Sequence, residues 1–233
     1  MVTREDLRRT VQALQQLPPA PDLPELKYAH LSLCVLSAVF SINTRAEAER
    51  NVSTRYVAWR GIPVTYRPDR QVFLRADAQE PLSQFVQIGR DMGSDQFMET
   101  VLNNRQWTST TIRSSIRKAE ASLQFAEVLV AYGIEYFQDL HPDLQRNHDF
   151  ATTIQGITGQ GSGISYDYFW MLSGDENAVK IDRHVYNYLE QVVGHALTND
   201  EMKALVRVAA AQLGLTPREV DNQIWEWRKK HSR

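Results

Sequence analysis

Residues 157–185 read ITGQGSGISYDYFWMLSGDENAVKIDRHV, and the reading of this stretch decides the fold. It opens on Gly159, Gly161 and Gly163, set at alternate positions between two segments of helical pattern, near 147–156 and 164–172. Glycine reaches positive φ without a Cβ clash, so the glycines predict a tight turn between two helices. The second helix starts with backbone N–H groups that have no intrahelical partner. Those groups and the helix dipole favour an anion, typically a phosphate, and such a contact grips a strand without reading its sequence. The segment is not a P-loop, because no lysine and serine pair follows it and no strand precedes it.

Beyond a turn at Gly174, the extended piece Ala178-Val179-Lys180-Ile181 runs into Asp182, where a helix to about Val193 begins. An N-cap explains an aspartate there, since its side chain accepts bonds from the first helical N–H groups. A chemical role is compatible with that one. A carboxylate fixed at a helix start is rigid, ionised and aimed outward, as an electrostatic catalyst must be. His184, in the first turn, is by type more often structural than catalytic. Arg183 meets either phosphate or solvent.

Outward from this centre the pattern stays helical. Residues 3–16 form an amphipathic helix with Leu7, Val11 and Leu14 on one side, followed by the proline-rich joint LPPAPDLP at 17–24. Residues 26–40 hold the most apolar run and predict a buried central helix, with lone Cys34 buried in it. Asn43 or Thr44 is expected to cap a helix over 45–60 that stops before Gly61 and Pro63. Residues 61–80 read as a loop or small hairpin, and 81–103 as one or two short helices. Thr110 or Thr111 is expected to cap a helix to Tyr132 that includes Ile116 and stops at Gly133. Another helical turn is expected over 134–140, closed by His141-Pro142. Residues 199–213 are amphipathic, and Thr216-Pro217-Arg218-Glu219 starts a last helix carrying Val220, Ile224 and Trp227.

The chain has 233 residues, 42% of them hydrophobic and 23% charged, a composition suited to a packed globule. No apolar run is long enough to span a bilayer and the amino terminus has no apolar signal core, so a cytoplasmic protein is expected. With one cysteine there is no internal disulfide, thiolate zinc site or four-cysteine iron–sulfur cluster. The net charge of −2 argues mildly against a nucleic-acid partner. Two basic clusters argue the other way: Arg113, Arg117 and Lys118, and Arg228, Lys229, Lys230 and Arg233. Each also reads as a solvated face or tail.

The glycine turn and Asp-x-His together resemble the helix-hairpin-helix DNA glycosylases, the group that includes endonuclease III, MutY and the alkyl-adenine glycosylases. Gly163 precedes Asp182 by 19 residues (182 − 163), close to the family's spacing. The run 31–38, the helix around Arg117-Lys118-Ala119 and the segment 216–227 resemble further family helices in order, so the likeness spans about 25–228. It implies an all-α, two-lobed, endonuclease III-like helical bundle with a helix-hairpin-helix motif. The chain 1–233 would be one such domain, with lobe A at about 31–160 and lobe B at about 1–30 plus 175–233. It further implies a duplex DNA partner and a target nucleotide drawn out of the duplex. Gly159, Gly161, Ser162 and Gly163 would hold backbone phosphate, with a monovalent cation at the backbone of 157–163, and Asp182 would be catalytic, stabilising positive charge on the sugar and orienting or deprotonating a water. His184, Lys180 and Tyr166 are candidates for a supporting role or the base pocket, although the aromatics Tyr166, Tyr168, Phe169 and Trp170 also read as core.

Departures narrow the activity. Where lyase members of the family carry a nucleophilic lysine, this chain has Ser162-Gly163-Ile164, so a Schiff-base step is not expected. The family's glutamine after the early Leu-Ser and its iron–sulfur cluster are absent, and 61–80 has no counterpart. The expectation is a monofunctional glycosylase acting as a monomer, nucleoid-associated if bacterial. Two alternatives stand beside it: a DNA-binding module without catalysis, and a helical protein with no nucleic-acid role.

Overall fold

A computed structural model describes residues 2–19, 28–68, 72–109 and 114–231. Among them the secondary structure is helical throughout, with two isolated bridges, Tyr28 to Tyr66 and Trp107 to Arg117, and no β-strand. No helix among the described residues is long and apolar enough to cross a membrane. The chain divides into two compact units, one of residues 26–173 and one of residues 1–25 with 174–233. The first unit extends past 160 because α9 (Ile164–Ser173) packs on α2 (Leu31–Phe40).

In the unit 26–173, α2 is buried on every side. That follows from its sequence, LSLCVLSAVF, which has no polar stripe to give to water. Its two interior serines need partners, and they have them: Ser32 donates to Glu80 at 2.7 Å and Ser37 to the Tyr28 hydroxyl at 2.7 Å. Around it lie α3 (Ala46–Arg60), α4 (Leu82–Met92) and α6 (Lys118–Ala131), with α9. The approach of α4 to α6 is set by Gly89, where a Cβ would lie 2.3 Å from a methyl of Leu123. After α4, α5 (Ser94–Gln96) continues as a π-helical stretch, Phe97–Leu102.

Several boundaries differ from those expected, each for a local reason. The central helix begins at Leu31 rather than 26, because Tyr28 is bridged to Tyr66 and Ala29 N donates to Thr65 O. Neither Asn43 nor Thr44 caps α3: Asn43 has a φ of +52° and the N-cap is Arg45. Helix α6 starts at Lys118, so Ile116 lies outside it, where its carbonyl accepts from Thr108 N. The expected caps Thr110 and Thr111, like most of the joint at 17–24, lie outside the described residues. Of 61–80, the described part holds no hairpin. It carries a 3-10 turn, Ala76–Ala78, and is anchored by buried Glu80, which also accepts from the Tyr56 hydroxyl at 2.8 Å. A 3-10 turn, Phe137–Asp139, replaces the helical turn expected over 134–140, and α7 (Pro142–Arg146) follows it.

The unit 1–25 with 174–233 contains α1 (Arg4–Gln15), α10 (Arg183–Val193), α11 (Asn199–Leu213) and α12 (Pro217–His231) around Leu14, Val185, Leu189, Leu205, Val220 and Ile224. Capping boxes start α1 (Thr3 with Asp6) and α11 (Thr198 with Glu201), and Thr216 exchanges bonds with Glu219 at α12 as its sequence predicts.

Candidate phosphate-binding turn and carboxylate site

Residues 157–163 join α8 (His148–Gly156) to α9. Positive φ falls on Gly159 (+87°) and Gly163 (+72°), but not on Gly161. Gly159 is required twice over, since a Cβ there would also lie 2.3 Å from Cβ of Thr108. The turn is tied by Gln160 N to Ile157 O at 2.9 Å and Gly163 N to Gln160 O at 3.0 Å. A residue that the glycine pattern hid, Gln160, pins it from within: its side chain is buried and accepts from the Ser165 hydroxyl. Gly161 and Ser162 are left exposed at the tip. Among the described residues their amides donate to no backbone carbonyl, and the Ile164 amide reaches only Ser162 Oγ, at a long 3.4 Å. The tip is thus a short run of available donors ahead of a helix dipole, the arrangement that suits an anion.

Tyr166 points away from any such role. It is 7% exposed, its hydroxyl donates to Gln145 O at 2.8 Å, and its ring lies edge-on to Phe150 and Trp170. Burial pushes its hydroxyl up to about 12. Phe169 and Trp170 are likewise core, and Tyr168 donates to Glu49 at 3.3 Å.

In the other unit, Ala178, Val179 and Ile181 are buried and bring the chain extended to Asp182. Asp182 caps α10: Oδ1 accepts from His184 N at 2.7 Å and Val185 N at 3.2 Å. The residue is half-buried, and among the described residues Oδ2 accepts no hydrogen bond. One carboxylate oxygen is therefore fixed and the other is available, at the positive end of a helix dipole. The His184 side chain is half-buried beside it in sequence, and Lys180 supplies a positive charge in the same neighbourhood.

Asp221, on α12, belongs to this neighbourhood and was not singled out in the sequence. Removal from water and then the nearby charge of Asp182 push its carboxyl up to about 7, while Lys180 and Arg218 oppose the rise. The available signal was positional: Asp221 sits between Val220 and Ile224, both fully buried, so it flanks an apolar stripe and is itself half-buried.

The basic clusters fare differently. Lys118 is 3% exposed and its ammonium donates to Phe40 O, Ile42 O, Thr44 Oγ1 and Gln106 Oε1, so it is a buried strut and not a phosphate ligand. Arg117 lies 3.8 Å over the ring of exposed Trp107. Arg113 and Arg233 fall outside the described residues. Lys229 and Lys230 are exposed in the last turn of α12.

Fold and site together define an all-helical protein of two compact units with a glycine-built turn and a capped carboxylate. A family model described as "Domain of unknown function (DUF8548)" matches residues 5–229, and the chain belongs to that family. No curated protein and no solved structure matches it.

Proposed function

We propose that the chain is a monofunctional DNA N-glycosylase of the helix-hairpin-helix kind, with Asp182 as its charge-stabilising group. The observation that carries the reading is Asp182 itself, a carboxylate locked by two amides through one oxygen and open at the other. In the reading, the N–H groups at Gly161 and Ser162 hold a backbone phosphate of duplex DNA. The Asp182 carboxylate offsets the positive charge that grows on the sugar as the glycosidic bond breaks. Water completes the reaction and leaves an abasic site. A monovalent cation at the backbone of 157–163 fits the turn, since the carbonyls of Ile157 and Gln160 each keep a second lone pair beside the amide they accept. It would supply positive charge between turn and phosphate. With no lysine in the turn, strand cleavage is no part of the reaction.

A second reading, a DNA-binding module without chemistry, is favoured by the net charge of −2 and the loss of Lys118 to the interior. Duplexes carrying alkylated, oxidised, deaminated or mismatched bases, incubated with the protein and then treated with alkali or left untreated, separate the two. Glycosylase activity gives breaks after alkali only. Salt-sensitive binding with no break on any duplex selects the module.

A further inference from the structure

Trp107 is 47% exposed, and the chain around it is tied in place. Thr108 N donates to Ile116 O at 2.9 Å, Lys118 N donates to Gln106 O at 2.9 Å, and Trp107 is bridged to Arg117 between them. On that frame the Arg117 guanidinium lies 3.8 Å from the centre of the Trp107 ring, and its Nη1 donates to Arg105 O. The guanidinium covers one face of the ring and fixes its plane. Its charge is not neutralised. Arg105 pairs with Glu99 at 3.0 Å, whereas among the described residues Arg117 meets no carboxylate.

The frame is joined to the glycine turn within the same unit. Thr108 packs so closely on Gly159 that a Cβ there would lie 2.3 Å from its own Cβ. Trp107 is the next residue, so its backbone is within about 10 Å of Gly159, the length of about three stacked nucleotides at about 3.4 Å each. An exposed ring, an uncompensated cation and a turn with available N–H donors thus share one small region. A planar anion matches all three, and a strand of nucleic acid supplies planes and charges at that spacing. A base inside a duplex has both faces covered by its neighbours. Stacking on a protein ring therefore requires a base that lacks a neighbour.

We infer that Trp107, held by Arg117, is a stacking platform for an unpaired base of DNA whose neighbouring phosphate lies on the tip at Gly161 and Ser162. The protein then prefers DNA with a single-stranded stretch over a fully paired duplex. This rests on the DNA-binding part of the proposed function and not on its chemistry.

The test compares a fully paired duplex with the same duplex carrying a short single-stranded gap, with 2-aminopurine in the gap, at one fixed salt concentration. Wild type should bind the gapped duplex roughly tenfold tighter and quench the 2-aminopurine. Trp107→Ala should lose both effects, and Trp107→Phe, which keeps a ring, should keep most of each. Trp59→Ala is the control. Trp59 is as exposed, at 45%, but stands near the far end of α3, about 20 Å by helical rise from the end where Thr44 bonds Gln106 at 2.9 Å. It should behave as wild type. Equal affinity of wild type for the two duplexes, or an unchanged preference and quench in Trp107→Ala, overturns the platform and leaves the roles of the turn and Asp182 standing. A wild type that binds neither duplex at low salt overturns the DNA reading and the platform together. Preference and quench without base release remove the chemistry and support the platform.

Discussion

Replacing Gly159 by alanine tests how the turn is built. At a φ of +87° a side chain costs about 1–2 kcal/mol. The new Cβ would lie 2.3 Å from Cβ and 2.7 Å from Oγ1 of Thr108. Thr108 cannot easily withdraw: it is 6% exposed, its amide bonds Ile116 O at 2.9 Å, and its hydroxyl is 3.2 Å from Ser115 Oγ. Overpacking of that kind costs about 1–3 kcal/mol. Against this, the alanine stiffens the unfolded chain by about 0.4–1 kcal/mol. The net loss is about 2–4 kcal/mol, a large share of the roughly 5–15 kcal/mol that holds a folded domain. Gly161→Ala is the control, since its φ is ordinary and the nearest atom to its Cβ is Gln155 O at 3.7 Å; it should stay within about 0.5 kcal/mol of wild type. Urea denaturation followed by circular dichroism reads both as midpoint shifts at constant slope. Equal stability of the two variants would refute the account of the turn.

Other predictions follow from single contacts. Gly89→Ala adds helix propensity but drives a Cβ to within 2.3 Å of buried Leu123, so it should lower stability by about 1–3 kcal/mol in the same urea assay; a stabilised variant would show that α4 and α6 are further apart than described. In the unit containing α1, buried Asp6 accepts from the backbone of Thr3 and from His195 at 3.0 Å, which holds its carboxyl down at about 2 and raises His195 above its ordinary 6.5. The Asp6 contribution is then present above its ordinary 3.8 and fades as pH falls toward 2, and the His195 contribution is present below 6.5 and fades as pH rises through the elevated value. Thermal melts of wild type and His195→Ala should differ most between about pH 4 and 6.5 and converge as pH rises above the elevated His195 value; a gap independent of pH would contradict the ion pair.

Helices were legible where pattern and capping agreed. Thr216-Pro217-Arg218-Glu219 announces α12 because each residue satisfies a local requirement of a helix start, and LSLCVLSAVF announces a buried helix because it offers water nothing. Boundaries set by distant partners were not legible. Thr44 has the chemistry of a cap, yet its hydroxyl is claimed by Ile42 O, Gln106 and the Lys118 ammonium, and Lys118 looks like a surface cation until the carbonyls of α2's end are found around it. At the candidate site, Asp182 could be found because an N-cap is a local event. Asp221 could not, because its unusual environment comes from the packing of α12 on α10, and Gln160 was masked by the glycines on either side of it.

The central claim is met most directly by single-turnover base release from the best damaged duplex, comparing wild type with Asp182→Asn while binding is measured separately. Asparagine caps a helix about as well as aspartate, so fold and DNA affinity should persist. Release should slow by roughly 10²–10³. Release at the wild-type rate by the folded variant, or none by wild type on any duplex, would contradict the assignment of Asp182.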